Sequence, residues 1–359
     1  MNRGYYFSAG PAQLPESILL EVQSELLNWH DQGCSILEIG HRTKVFEDLM
    51  QEMTQDLRDL LAIPDNYHIL FLGGAARSQF AMVPMNILEP NQSAAHVISG
   101  TWSELAFQEA ARLTKAYCLA DSIDTGYSDI PYIETANLQS NTAYVQYTPN
   151  ETIHGVRWPD MPEVHGLPLV ADMTSCLLSE PIDINKYGLI FAGAQKNIAS
   201  AGMTVVIVRS DWMQRTPMMP LPIMSDYRTH VKHKSLYATP PTFNCYLAAK
   251  MFKWIKQQGG VDCLNVQNIK KANMLYDYID SSSEYHCRVE KKARSRMNIC
   301  FALNDPTMEA EFLLGATKAG LYALNGHRQV GGLRASIYNS MPVAGVEALI
   351  SFMKVFASR

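Results

Sequence analysis

Short apolar runs recur along the first two thirds of the chain, separated by longer stretches of mixed character. Residues 68–72 (HILFL) predict a strand, followed by Gly73-Gly74 and a helical run from about Ser78. Residues 95–99 (AHVIS) predict a second strand. Gly100-Thr101-Trp102 follows it, then a helix over 104–113 that Ser103 is placed to cap. Residues 143–147 (AYVQY), 167–171 (LPLVA), 188–192 (GLIFA) and 203–208 (MTVVIV) predict further strands. Several are apolar throughout rather than alternating, the pattern of a sheet covered on both faces. Strands alternating with helices in this way predict an α/β domain with a mostly parallel sheet.

The pattern changes after residue 258, where Gly259-Gly260 ends a helical stretch. A long helix is predicted over 261–280, then strands at 285–290 and 297–303, a helix over 307–319, a strand at 333–338 and a last helix from Val343. This reads as a second, smaller α+β domain. Residues 225–243 are polar, weakly periodic and end in Pro-Pro-Thr-Phe; a loop of that length is usually functional or at an interface. With 359 residues, at roughly 100–200 per domain, two domains are expected.

Composition narrows the function classes. Apolar residues are 47% and charged residues 18%, as in an ordinary folded protein. The formal net charge of −5 argues against nucleic-acid binding by bulk positive charge. No apolar run approaches a membrane span, and the N-terminus lacks a signal peptide's apolar core, so a cytoplasmic protein without membrane or nucleic-acid partners is expected. The seven cysteines are widely spaced with no CxxC pair, which speaks against a disulfide framework or a metal site.

In open α/β sheets, ligands collect at the carboxyl ends of the strands. Gly73-Gly74-Ala75-Ala76-Arg77 opens a helix there, and small residues at a helix N-terminus suit an anion. Trp102, Thr152, Asp172 and Lys196 each follow a later strand. Taken singly, each has a plain structural reading: a tight turn, a core Trp, a polar turn, a helix cap or Ser175 partner, a surface lysine. In chain order they match what pyridoxal phosphate requires: a phosphate turn, a stacking ring, a hydrogen-bonding hydroxyl, a carboxylate for the ring nitrogen and an amine for its aldehyde. His41-Arg42, His327-Arg328 and Arg334 add five cations fit to grip carboxylate or phosphate, if the fold brings them together. No G-x-G-x-x-G follows the first strand, against a dinucleotide fold, and no cysteine stands in a loop context suited to a desulfurase.

The stretches FSAGPAQLP (7–15), EIGHR (38–42), GGAARSQF (73–80), GTW (100–102), TPNETIHG (148–155), AGAQKN (192–197), TPPTF (239–243), SRMN (295–298) and GHRQVGGLRASIYN (326–339) closely resemble the phosphoserine aminotransferase family, in the fold type I, class V branch of pyridoxal-phosphate enzymes. They span nearly the whole chain. The resemblance implies a large cofactor-binding domain (16–258) with a seven-stranded-type sheet, a small C-terminal domain (259–359) and an N-terminal segment (1–15) packing near the latter. It implies one pyridoxal 5'-phosphate per subunit, held as an aldimine on Lys196. Asp172 would pair with the ring nitrogen, Trp102 would stack and Thr152 would contact the ring. Ala76, Arg77 and Gln195 would hold the phosphate, with Ala238 and Thr239 reaching it from the partner chain of a homodimer. Arg334 would take the substrate carboxylate, and His41, Arg42, His327 and Arg328 its phosphate. Family members often have Asn where this chain has Ala238, so a side-chain bond gives way there to a backbone N–H. The glycine turn is also poorer in Gly than usual, which implies ordinary right-handed backbone at Ala75 and Ala76. The reaction implied is O-phospho-L-serine plus 2-oxoglutarate to 3-phosphooxypyruvate plus L-glutamate, in serine biosynthesis. A second substrate implied is 4-phosphohydroxy-L-threonine, on the route to pyridoxal phosphate. The alternatives are another class V enzyme for a different anionic amino acid, or a non-catalytic binding protein on the same fold.

Overall fold

Uninterrupted apolar strands need cover on both faces, and the computed structural model, which describes residues 3–358, supplies it. The large sheet holds β2 (Tyr67–Gly73), β3 (Ser93–Ile98), β4 (Ala116–Asp121), β5 (Thr142–Tyr147), β8 (Leu169–Asp172), β9 (Tyr187–Gly193) and β10 (Met203–Arg209). Their spatial order is β2-β10-β9-β8-β5-β3-β4. All run parallel except β10, which is antiparallel to both β2 and β9. Along β9, Leu189 and Phe191 pack on one face of the sheet with Phe80, Val83 and Trp212. Ile190 and Ala192 pack on the opposite face with residues of α2 (Lys44–Leu60) and α6 (Thr242–Gln257), so that one sheet is the middle layer of the first core. Alternate residues are therefore apolar for opposite reasons, and no polar face is left to read.

A second core lies under an antiparallel sheet of β11 (Tyr285–His286), β12 (Asn298–Leu303) and β14 (Leu333–Ser336). The helix α7 (Gly260–Ser281), α8 (Glu309–Lys318) and α9 (Val343–Ala357) pack with it. Near the N-terminus, β1 (Tyr5–Tyr6) pairs in parallel with β13 (Leu321–Tyr322), and Phe7 is buried in this second core.

Three local expectations are corrected. The strand predicted at 285–290 is only the two-residue β11, because Cys287–Glu290 turns towards a 3-10 turn at Lys291–Ala293. The 225–243 segment is not all loop: Asp226 accepts a bond from the Arg228 N–H and caps a short helix, α5 (Tyr227–Lys232). Ala75 is extended (φ −84°, ψ 150°), not right-handed; Gly74 alone takes the positive φ, +115°. Ala76 does start a 3-10 turn, Ala76–Ser78, that runs into α3 (Gln79–Ile87).

Buried polar side chains fix the turn at 337–341, through which the second core meets the large sheet's. Lys271 of α7 is buried and donates to the carbonyls of Ile337, Tyr338 and Met341 at 3.0, 2.9 and 3.0 Å. Burial pushes its pKa down to about 7. Asn339, in the same turn, receives Asn268 on its Oδ1 and donates through Nδ2 to the Leu178 carbonyl; its N–H reaches Asn197 Oδ1 at 3.1 Å. Lys271→Met should take the charged donor from three buried carbonyls, that of Tyr338 keeping the Met341 N–H, and lower the unfolding free energy by about 3 kcal/mol. Urea denaturation checks this, and an unchanged midpoint would rule it out.

Candidate active site

The carboxyl ends of β2, β3, β5, β8 and β9 open onto one cavity of about 380 Å³. Each end delivers one feature, as the parallel arrangement dictates. Past β2 come Ala75, Ala76 and Arg77. Past β3 comes Trp102, in the first turn of α4 (Thr101–Leu113). Past β5 come Asn150 and Thr152. Asp172 ends β8, and Gln195 with Lys196 follows β9. The wall is completed by Ala9 and Gly10 from the N-terminal segment and by His327 and Arg334 from the second core.

Lys196 and Asp172 are both buried, at 7% and 5% exposure. Lys196 Nζ donates to Thr152 Oγ1 at 2.6 Å. Burial pushes the amine down to about 8; the Asp172 charge works against that shift and the Arg334 charge adds to it. Asp172 Oδ1 accepts from the Thr174 N–H at 2.9 Å, and burial raises its carboxyl above the ordinary range despite that bond and the Lys196 charge. The expected Ser175 partner is instead Asn150, whose carbonyl accepts the Ser175 hydroxyl at 2.6 Å. Trp102 Nε1 is buried without a partner among the described residues.

Arg334 lies in β14 and its Nη1 reaches the Thr152 carbonyl at 3.4 Å. His327 stands close enough to Arg334 and Arg328 for their charges to add to burial in lowering its pKa. An amine whose pKa burial lowers to about 8, a buried carboxylate and the two arginines Arg77 and Arg334 suit covalent capture of a carbonyl beside anionic groups.

Other expected residues stand apart within one chain. His41 and Arg42 sit in the turn before α2, and Arg42 lines a separate groove of about 750 Å³ with His68, Lys232 and Lys234. Ala238 and Thr239 are exposed ahead of α6, and Arg328 is exposed beside His327.

Some residues that support the cavity's wall escaped the sequence reading. Tyr338 is buried; its hydroxyl donates to the Ala9 carbonyl at 2.9 Å and accepts from Asn298 Nδ2 at 3.0 Å. Asn298 Oδ1 in turn accepts from Asn150 Nδ2 at 2.8 Å. The stretches holding Ala9, Asn298 and Tyr338 were visible as motifs, but nothing in them signals that they meet. The expected cap Ser103 lies inside α4, which starts at Thr101. Its hydroxyl accepts from the Ser99 and Gly100 N–H groups.

The profile described as Aminotransferase class-V matches residues 4–349. A phosphoserine aminotransferase of Legionella pneumophila (strain Corby) is 58% identical over 99% of this chain and 98% of its own length. The solved phosphoserine aminotransferase from Bacillus circulans subsp. alkalophilus superposes with a TM-score of 0.95 at 42% identity, covering 99% of both chains. A crystal structure described as PLP-bound phosphoserine aminotransferase from Trichomonas vaginalis gives 0.95 at 39% identity, over 98% of this chain and all of that one. The fold and these similarities agree, and the chain belongs to the class V aminotransferase family, among the phosphoserine aminotransferases.

Proposed function

We propose that the cavity holds pyridoxal phosphate and transfers the amino group of O-phospho-L-serine to 2-oxoglutarate. The observation that carries this reading is the pair Lys196 and Asp172, two ionisable groups that burial drives towards their neutral forms in one cavity. Such groups fit a ligand that brings its own partners: an aldehyde for the amine and a protonated ring nitrogen for the carboxylate. Arg77, Gln195 and the helical turn at Ala76 fit the phosphate. When bound, the cofactor supplies a carbonyl that exchanges amines and a ring that takes up the electron pair left at the substrate Cα.

The rest falls to the chain. Lys196, released from its covalent role, takes the Cα proton and returns it on the other side of the exchange. Thr152 Oγ1 holds that amine in place. Asp172 keeps the positive charge on the ring nitrogen. Arg334 takes the α-carboxylate common to both amino acids, and His327 supplies part of a distal anion site. A second copy in a homodimer would bring Ala238 and Thr239, which one chain leaves outside the cavity, to the cofactor phosphate, and His41 and Arg42 to the substrate phosphate, where Arg328 joins beside His327. The same distal grip admits 4-phosphohydroxy-L-threonine, which shares the phosphate and the amino-acid end.

The test is a visible spectrum of the purified protein with pyridoxal phosphate, before and after O-phospho-L-serine. A band that collapses on addition is expected. A band that ignores phosphoserine but answers another amino acid would overturn the substrate, and no band would overturn the cofactor. Because the amine must be unprotonated to attack, cofactor capture by the apoprotein should accelerate roughly tenfold per pH unit up to about 8 and level off above it. Stopped-flow absorbance reads this directly. Arg334→Gln should raise KM for both amino acids about 10–100-fold, because a charge-assisted bond to carboxylate is lost.

A further inference from the structure

Glu151 lies between Asn150 and Thr152, and the chemistry above gives it no task. It is fully buried. Its Oε1 accepts from the Ser103 N–H at 2.8 Å and the Ser103 hydroxyl at 2.7 Å, and its Oε2 accepts from the Trp102 N–H at 3.1 Å. These N–H groups belong to the first turn of α4, where a helix has donors to spare and favours a negative charge. The approach is close: a Cβ on Gly100 would lie 2.6 Å from Glu151 Cδ, so the carboxylate can sit there only against glycine. Thr101 Oγ1 and His154 Nε2, 2.9 Å apart, tie the same two segments again. One segment carries Trp102. The other carries Thr152, which takes the Lys196 hydrogen bond.

We propose that Glu151 is a positioning residue whose buried carboxylate fixes Trp102 relative to Thr152 and Lys196, and so sets the slot into which the cofactor ring fits. This rests on the reading that pyridoxal phosphate occupies the cavity. A carboxylate is needed because both its oxygens accept. Glutamine offers one oxygen and turns an NH2 towards a backbone N–H, leaving one donor buried and unpaired.

The experiment compares the parent protein with Glu151→Gln and Ser103→Ala, each stripped of cofactor and titrated with pyridoxal phosphate. Three quantities are read: the dissociation constant, the visible circular dichroism per bound cofactor at saturation, and the urea midpoint of the apoprotein. Glu151→Gln should bind about tenfold more weakly, the equivalent of one lost buried bond, with dichroism per bound cofactor clearly reduced. Ser103→Ala, which removes one of three donors, should move both in the same direction by less. A variant with a lower urea midpoint but parental affinity and dichroism would make Glu151 a stabiliser of α4 and overturn the proposal. If Glu151→Gln does not fold, Ser103→Ala decides by the same two readings. A parent with no visible band defeats the cofactor reading and this inference with it; a parental band matched by both variants defeats this inference alone.

Discussion

Lys196→Ala is expected to lower kcat for phosphoserine by about 10⁴-fold or more, since it removes both the covalent anchor and the proton carrier. The two losses can be separated. Without the lysine, Arg77, Gln195 and the turn at Ala76 still line the cavity where the proposed reading puts the cofactor phosphate, so the cofactor should bind, though more weakly. Proton transfer at Cα loses the amine that Thr152 Oγ1 held. Added methylamine should therefore restore part of the rate, in proportion to its free-base concentration. Lys196→Arg should not be rescued by high pH, because guanidinium stays protonated there. Single-turnover absorbance with phosphoserine measures each rate. Activity in Lys196→Ala within about tenfold of the parent would remove this lysine from the chemistry.

Asp172→Asn should cost about 10²–10³-fold in kcat with little change in KM. The loss sits in kcat because the ring nitrogen's charge matters most when an electron pair is pushed into the ring, not when the substrate binds. The native carboxylate is buried, with the Thr174 N–H as a fixed donor, and an amide of the same shape can keep that bond through its oxygen. The substitution therefore removes charge with little change of packing. A fall in KM-dependent terms alone, with kcat intact, would assign Asp172 to binding rather than to the ring.

How much of this was legible in the sequence depended on distance along the chain. The strand runs at 188–192 and 203–208 were plain because burial on both faces leaves no polar position to confuse them. Lys196 and Asp172 each directly follow or end such a run, which made their place at one end of the sheet legible, while their proposed chemistry could be read only from the strand-end residues taken together in chain order. The role of Glu151 was not, since its partners Trp102 and Ser103 lie on another strand end and meet it only once β3 and β5 pair. Ser103 was misplaced for the same reason: a local rule makes serine the cap, whereas a distant carboxylate takes most of that duty. His41 and Arg42 read as anion-gripping residues from their type, yet one chain holds them before α2, away from the cavity. Residue type announces chemistry; only the fold of one chain, or two, decides where it is used.

The reversed strand β10 has a consequence for how the protein is made. β2 is an edge strand whose neighbour in the sheet is β10, and β10 also joins it to β9. During synthesis, β2 emerges early and waits unpaired until Met203–Arg209 has followed. Neither the Ala76 turn nor Lys196 can take its place until that late strand inserts between their parent strands. Such a non-local closing step is slow, and it leaves an apolar edge open to association in the meantime. Chains halted before residue 209 should accordingly be aggregation-prone and unable to bind cofactor, while release of the remaining residues allows the sheet to close.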